Sequence, residues 1–412
     1  MVNLYIFNES NRAAIYGIGT YIKELTAALK VSSVNINIVH LHSENTEEEL
    51  PEPDNVRHIH IPPSDIRNSS LDLKKQNELY YRNVVYLLRM KVKDFENPVF
   101  HLNNNHNGKL AEELKRTFDC KIAATIHYLD WCFILFGNIT RFKKIWKIQE
   151  NEQLDKLKKT IDELYRKDKD FFAIIDHIIC LSENTQQILQ NYYKVEPKKT
   201  TVIYNGISDK KSGLRRKELL RKYGMPDSPI ILFVGRLDEI KGLIYALRAF
   251  KIVLHTLPHC RFIIAGNGTF DIHLIECEDI WTNVIWTGFI SKEKLYDLYS
   301  IADIGVMPSF HEQCSYVAIE MMMHGLPIIG STTTGLKEMI EDGETGLHIH
   351  VIEQDESVEI DTSLLAEKIL YLLQHPLEAK KMGQNGRKRF LKKYSSEVFH
   401  RNMMQFYDSL MK

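Results

Sequence analysis

Pro308-Ser309-Phe310-His311-Glu312-Gln313-Cys314-Ser315-Tyr316-Val317-Ala318-Ile319-Glu320 joins a short apolar run, 303–307, to a methionine-rich helical stretch. One carboxylate stands ahead of the helix and the other about two turns inside it, so the two address different parts of one ligand. A carboxylate accepts paired hydrogen bonds from the vicinal hydroxyls of a sugar or a ribose. Removing such a charged acceptor costs roughly 1.5–3 kcal/mol of binding. Met321, Met322, Met323 and Gly325 surround Glu320 in a helix that reads as mostly buried, and a buried carboxylate needs a partner.

Outward from this stretch the chain alternates apolar runs with amphipathic helices, the pattern of parallel βαβ units. The second half has strand candidates at 230–235, 261–266, 284–287, 303–307 and 326–330. The first half has them at 2–7, 34–41, 57–62, 98–103, 121–127, 174–181 and 200–204, with helical stretches at 18–30, 72–94 and 141–172. The pattern breaks over 206–228, where glycines, prolines and a short basic helix read as an interdomain connection. The expected fold is α/β, with two Rossmann-like domains facing across a cleft, 1–206 and 207–394. Ligands of such sheets bind beyond the carboxyl ends of the strands.

Two more strand-to-helix turns carry chemistry. Val234-Gly235-Arg236-Leu237-Asp238-Glu239-Ile240-Lys241-Gly242 follows a strongly apolar run. A guanidinium and an ammonium five residues apart, flanked by glycines, can clasp a diphosphate; the plain alternative is two surface cations on a loop. Tyr16-Gly17-Ile18-Gly19-Thr20-Tyr21 opens the first helix, where glycines admit a ligand and free N–H groups favour an anion. Ile22 fills the third glycine position of a dinucleotide fingerprint, which leaves that signal incomplete for NAD.

Composition narrows the function classes. At 412 residues the chain fits two domains of about 200 residues. The 53 basic and 54 acidic residues nearly cancel, which argues against a general grip on nucleic acid. The densest apolar run, 171–181, is short and broken by Asp176 and His177, and the first residues lack the features of a secretory signal. Cys120, Cys132, Cys180, Cys260, Cys277 and Cys314 show neither CxxC nor zinc-ligand spacing, as expected for a cytoplasmic protein. Asp168-Lys169-Asp170 matches a DxD metal signature only by chance, within a helix face dominated by charge.

The E-x7-E element from Glu312 to Glu320, with Pro308-Ser309 before it, resembles the signature of the family 4 retaining glycosyltransferases of GT-B fold. Other segments are similar to that family in the expected order: Gly17-Ile18-Gly19-Thr20-Tyr21, Thr125-Ile126-His127, Leu181-Ser182-Glu183-Asn184-Thr185 and Val202-Ile203-Tyr204-Asn205-Gly206-Ile207. Gly235-Arg236 with Lys241-Gly242, Gly266-Asn267-Gly268, Thr287-Gly288-Phe289 and Asp342-Gly343-Glu344-Thr345-Gly346 follow.

The resemblance implies a hexose-type transfer from a UDP or GDP sugar, with retention of configuration. Arg236 and Lys241 would neutralise the departing diphosphate, a role worth about 10²–10³ in rate. Glu320 would hold the ribose, Glu312 the transferred sugar, and backbone near Phe289 and Ile290 the base. Gly266 and the run Gln313, Cys314, Ser315 and Tyr316 would complete the donor site. From the acceptor-side first domain, His127 would contact the donor sugar near the reacting carbon as a catalytic residue, and Gly17 and Gly19 would approach the phosphates and the acceptor. No metal or other cofactor is expected, because cations and helix termini do the neutralising; attack would come from the front face, with the leaving phosphate taking the acceptor proton. The last stretch, 395–412, would be a helix crossing back onto the first domain.

Two positions depart from the family pattern. Ser315 stands where many members have glycine, and Thr334-Gly335 where a Gly-Gly pair is frequent. A side chain at 315 either reshapes the sugar pocket or adds a hydroxyl donor. The acceptor is left open among glycans, lipid-linked molecules, peptides and small molecules. Readings from other classes are a nucleotide-sugar epimerase of the same fold and a non-catalytic nucleotide-sugar-binding partner subunit. Lys143, Lys144 and Lys147 beside Phe142 and Trp146 suggest a peripheral contact with the inner membrane face as a lesser expectation.

Overall fold

The computed structural model describes residues 2–9, 17–30, 34–45, 56–63, 72–92, 96–146 and 156–410. The chain divides into two compact units. The first comprises Met1–Leu129, Gln153–Asn205 and Phe399–Lys412; the second comprises Asp130–Glu152 and Gly206–Val398.

The first unit is built on a seven-stranded sheet: β1 (Val2–Glu9), β2 (Val34–Leu41), β3 (Val56–His60), β4 (Glu96–Leu102), β5 (Asp119–Ile126), β6 (His177–Cys180) and β7 (Thr200–Val202). Its order is β3-β2-β1-β4-β5-β6-β7, and every pairing is parallel. The helix Ser396–Leu410 contributes its last three turns to this unit. There Tyr407 Oη lies 2.6 Å from Nδ1 of fully buried His101. The other ring nitrogen of His101 is 2.7 Å from Thr125 Oγ1, which meets Tyr21 Oη at 2.9 Å.

The second unit carries β8 (Ile230–Val234), β9 (Arg261–Ala265), β10 (Val284–Gly288), β11 (Ile304–Met307), β12 (Ile328–Ser331) and β13 (Gly346–Ile349) in the order β10-β9-β8-β11-β12-β13. A two-stranded antiparallel ribbon, β14 (Val351–Glu353) with β15 (Val358–Ile360), follows. Strands such as Ile-Ile-Leu-Phe-Val are apolar at every position because helices cover both faces of a parallel sheet. The helix Leu243–Thr256 buries Leu243, Ala246, Leu247, Phe250 and Val253, a stripe at helical spacing, against Phe233 and Phe262. In this strand order the chain reverses direction across the sheet between β8 and β11, the switch point beyond whose carboxyl ends sheets of this kind bind ligands.

Several expectations shift. The helical stretch expected over 141–172 contains two helices, Ile139–Trp146 and Lys156–Ile174, with 147–155 outside the described residues. Tyr16 and Lys147 also lie outside them, as does the end of the stretch expected at 72–94. Asp130–Trp146 groups with the second unit although the sequence places it in the first half. Specific bonds hold it there: buried Asn138 donates Nδ2–H to Gln354 O at 2.7 Å, and Thr140 N–H donates to Glu353 Oε2 at 3.1 Å.

Phe142 is buried and stacks on Trp131 at 4.1 Å, and Lys144 pairs with Asp355, so Phe142 is not presented beside the lysines as a membrane patch requires. Among the described residues no helix is long and apolar enough to cross a membrane. Asp168 is buried, accepting from Asn105 Nδ2 at 2.7 Å and Tyr193 Oη at 3.1 Å, which gives it a packing role.

Candidate functional site

The carboxyl edge of the second sheet is interlocked by glycines that admit backbone where a side chain would collide. Gly242 (φ +66°) ends the turn after β8, and a Cβ there would lie 2.1 Å from the carbonyl oxygen of Pro308, after β11. Phe310 N–H donates to Ile240 O at 2.8 Å between the same two turns. Gly266 (φ +155°), after β9, would place a Cβ 1.7 Å from Gly235 O. The turns carrying Arg236, Lys241 and Glu312 are thus one packed assembly at the switch point.

Lys241 Nζ meets Glu312 Oε1 at 2.5 Å, with the two side chains only 18% and 13% exposed. Ser309 donates its hydroxyl to the same oxygen at 3.2 Å, and Thr333 holds Ser309 O at 3.0 Å. Arg236 Nη1 meets Asp238 Oδ2 at 2.8 Å. Both cations expected to clasp a diphosphate therefore rest on carboxylates in this structure. Their four charges sum to zero, so the cluster as it stands presents no net positive charge.

Thr334 and Gly335 support Glu312 from behind. The Thr334 hydroxyl accepts from Glu312 N–H at 3.1 Å and donates to Glu312 O. Those bonds help hold Thr334 at φ +27°, a conformation uncommon for a β-branched residue. Gly335 N–H donates to Glu312 O at 2.7 Å, and a Cβ on Gly335 would fall 1.5 Å from Gln313 O. His311 is buried beside them, its Nε2 without a hydrogen-bond partner, and burial lowers its pKa to about 4.

Glu320 is 1% exposed and has a separate set of partners. Tyr299 donates its hydroxyl to Oε2 at 2.9 Å, and Lys292 pairs with Oε1. Burial and the Glu320 charge hold the Tyr299 phenol well above its ordinary pKa, so it stays protonated as a donor. Phe289, two-thirds exposed, and half-buried Ile290 follow Gly288 (φ +64°) at the end of β10. Cys314 and Gln313 are buried. Ser315 is the N-cap of the helix Tyr316–His324, makes no side-chain cap bond, and gives its N–H to Met339 Sδ at 3.3 Å.

The remaining expected residues lie in the first unit. His127 follows β5, with Nε2 3.2 Å from Asn103 Oδ1 and its ring edge-on to Tyr21 at 4.8 Å. Burial, with a smaller push from His101, lowers its pKa to about 3. Gly17 and Gly19 form the first helical turn of Gly17–Leu29, and a Cβ at Gly17 would meet no atom within 4 Å. Nothing described in this unit therefore requires glycine at 17.

The sequence reading missed Asp238, Lys292, Tyr299 and the support of Thr334. Asp238 and Thr334 stand inside segments it quoted, whereas Lys292 and Tyr299 reach Glu320 from 28 and 21 positions away with no local signal.

Residues 215–389 match the family model for glycosyl transferases group 1, and residues 15–211 match that for glycosyltransferase family 4. An α-D-kanosaminyltransferase from Streptomyces kanamyceticus is 32% identical over 184 residues, 44% of this chain and 46% of that protein. The capsular polysaccharide biosynthesis glycosyltransferase CapM of Staphylococcus aureus is 26% identical over 259 residues, 60% and 66% of the two chains. The chain spans about half the length of the first relatives it matches. Among solved structures, sucrose-phosphate synthase from Thermosynechococcus elongatus aligns over 100% of this chain and 99% of its own, with a TM-score of 0.78 at 21% identity. HepE from Anabaena, solved with UDP-glucose, aligns over 99% and 100% with a TM-score of 0.73 at 14% identity.

Proposed function

Since the chain belongs to the glycosyltransferases that these two models describe and has their GT-B fold, we propose that it transfers a hexose-type sugar from a UDP or GDP sugar to a hydroxyl acceptor, with retention of configuration. The observation that carries this reading is the assembly at the β8/β11 switch point, where Lys241 and Glu312 meet at 2.5 Å. In it, Arg236 and Lys241 trade their carboxylate partners in part for the diphosphate, Glu312 turns to the hydroxyls of the sugar, and buried Glu320 takes the ribose. Backbone at Phe289 and Ile290 meets the base, and the uncapped start of the helix Tyr316–His324 adds N–H donors for the phosphates.

The acceptor oxygen bonds the anomeric carbon as the carbon–oxygen bond to the β-phosphate breaks, and the acceptor proton passes to the departing phosphate oxygen. Charge builds on that phosphate, where two preset cations lower the barrier. On this reading no metal takes part, so EDTA should leave the rate unchanged, and a rate that EDTA abolishes would contradict it.

The test is to incubate the chain with a bound nucleotide sugar and an acceptor panel and to read the product's anomeric configuration by NMR. An acceptor-dependent product with the donor's configuration supports the reading. An inverted product refutes retention. Conversion of the donor sugar without any acceptor indicates an epimerase, and binding without turnover across the panel indicates a binding subunit.

A further inference from the structure

Lys292 is placed to act on whatever binds Glu320. It is the first residue of the helix Lys292–Ile301, three positions after Phe289, and its N-cap is Ser291. Its side chain is 47% exposed, while the carboxylate it pairs with is 2% exposed. Tyr299, itself buried, fills Oε2 and commits its only proton there. The half-exposed ammonium is therefore the solvent-side partner of a carboxylate otherwise enclosed by protein. The Tyr296 ring lies 5.9 Å from that ammonium.

We infer that Lys292 is a positioning residue of the nucleotide site, reading the ribose diol together with Glu320. This rests on the assignment of Glu320 to the ribose. A hydroxyl both donates and accepts, whereas a carboxylate only accepts. A ribose hydroxyl that gives its proton to Glu320 keeps lone pairs that need a donor. The ammonium carries three N–H groups, and one directed at Glu320 leaves two for the ribose oxygens. Carboxylate and ammonium together satisfy both sides of a hydroxyl, and a sugar lacking that hydroxyl leaves the pair closed on itself. The pair thus selects ribonucleotides over deoxyribonucleotides. Lys292 also compensates the buried charge of Glu320 while the site is empty, and that second role makes the choice of readout matter.

The experiment measures affinities of the full chain for UDP, GDP and their 2′-deoxy and 3′-deoxy forms by calorimetry, for wild type, Lys292→Met and Lys292→Arg. The wild type is expected to favour the preferred ribonucleotide over at least one deoxy form by about 10- to 100-fold, the range of a charge-assisted hydrogen bond. Lys292→Met should weaken the ribonucleotide by about tenfold and leave that deoxy form nearly unchanged, so the preference collapses, while Lys292→Arg retains most of it. If Lys292→Met leaves the ratio intact, whether both forms weaken equally or neither weakens, Lys292 merely neutralises Glu320 and the inference falls alone. If the wild type binds no nucleotide, the donor assignment falls with it.

Discussion

Replacing Lys241 with methionine removes the ammonium and keeps most of the side-chain volume. The Lys241–Glu312 pair is short and less than a fifth exposed on either side, so it lies between two known regimes. Exposed pairs contribute about 0–1 kcal/mol, and breaking a buried pair costs about 3–5 kcal/mol because one charge is left uncompensated. Lys241→Met should therefore destabilise the second unit by about 2 kcal/mol, a fall in Tm of about 4–8 °C for a unit of this size. Glu312→Gln in the same chain removes the stranded charge, so the double variant should be more stable than the sum of the single changes by about 1 kcal/mol. On the reaction, loss of one of two leaving-group cations should lower kcat by about 10²–10³. Thermal melts of the four proteins give the stability cycle, and single-turnover donor hydrolysis gives the rate. Additive stability effects with hydrolysis near the wild-type rate would refute the argument, because the pair would then be neither coupled nor placed at the leaving group.

Gly335→Ala forces a methyl group against Gln313 O, an overlap of backbone positions that costs about 1–3 kcal/mol; donor turnover should fall far more than UDP affinity, and equal losses would contradict the separate duties of Glu312 and Glu320. Stability should depend on pH through the first unit. His101 has its folded pKa lowered to about 3 by burial; its contribution is complete above the unfolded value near 6.5 and is lost as pH falls toward 3, about 2 kcal/mol by pH 5. His101→Asn should reduce the slope of Tm against pH over that window, with His127, also lowered to about 3, supplying part of what remains; an unchanged slope would rule out His101 as a source. Asp168→Ala strands the donors of Asn105 and Tyr193 and should cost about 3 kcal/mol. Nucleotide affinity should survive it, and Mn²⁺ should leave the Tm of the wild type unmoved; a Mn²⁺ shift abolished by Asp168→Ala would restore the DxD motif as a metal site.

Most strands were legible because parallel strands buried on both faces are apolar runs, complete in Ile230–Val234 and broken only by the leading Arg261 in Arg261–Ala265. β13, β14 and β15 were not: β13 is four residues with a glycine and a histidine, and β14 and β15 are three residues each, with the charged run Glu353, Asp355, Glu356 between and within them reading as loop. The attachment of Asp130–Trp146 to the second unit was invisible for a different reason. It rests on bonds such as Asn138 to Gln354, more than two hundred positions apart, which no local pattern encodes. In the site, Glu312, Glu320, Arg236 and Lys241 stood out because charged residues beside glycines at strand ends are chemically conspicuous. Their partners Lys292, Tyr299 and Thr334 are ordinary residues whose role exists only after folding, and the demand for glycine at 335 comes from a carbonyl 22 positions upstream.

The central claim, that the β8/β11 switch point binds a nucleotide diphosphate sugar, is tested most directly by donor-induced thermal shift and slow donor hydrolysis across UDP, GDP and other nucleotide sugars, with Glu320→Ala alongside. One donor should stabilise the wild type and be hydrolysed slowly, with both effects reduced in Glu320→Ala by the roughly 10- to 100-fold that a buried charged acceptor contributes. A wild type that no nucleotide sugar stabilises, or a stabilising donor that Glu320→Ala binds equally well, would contradict it.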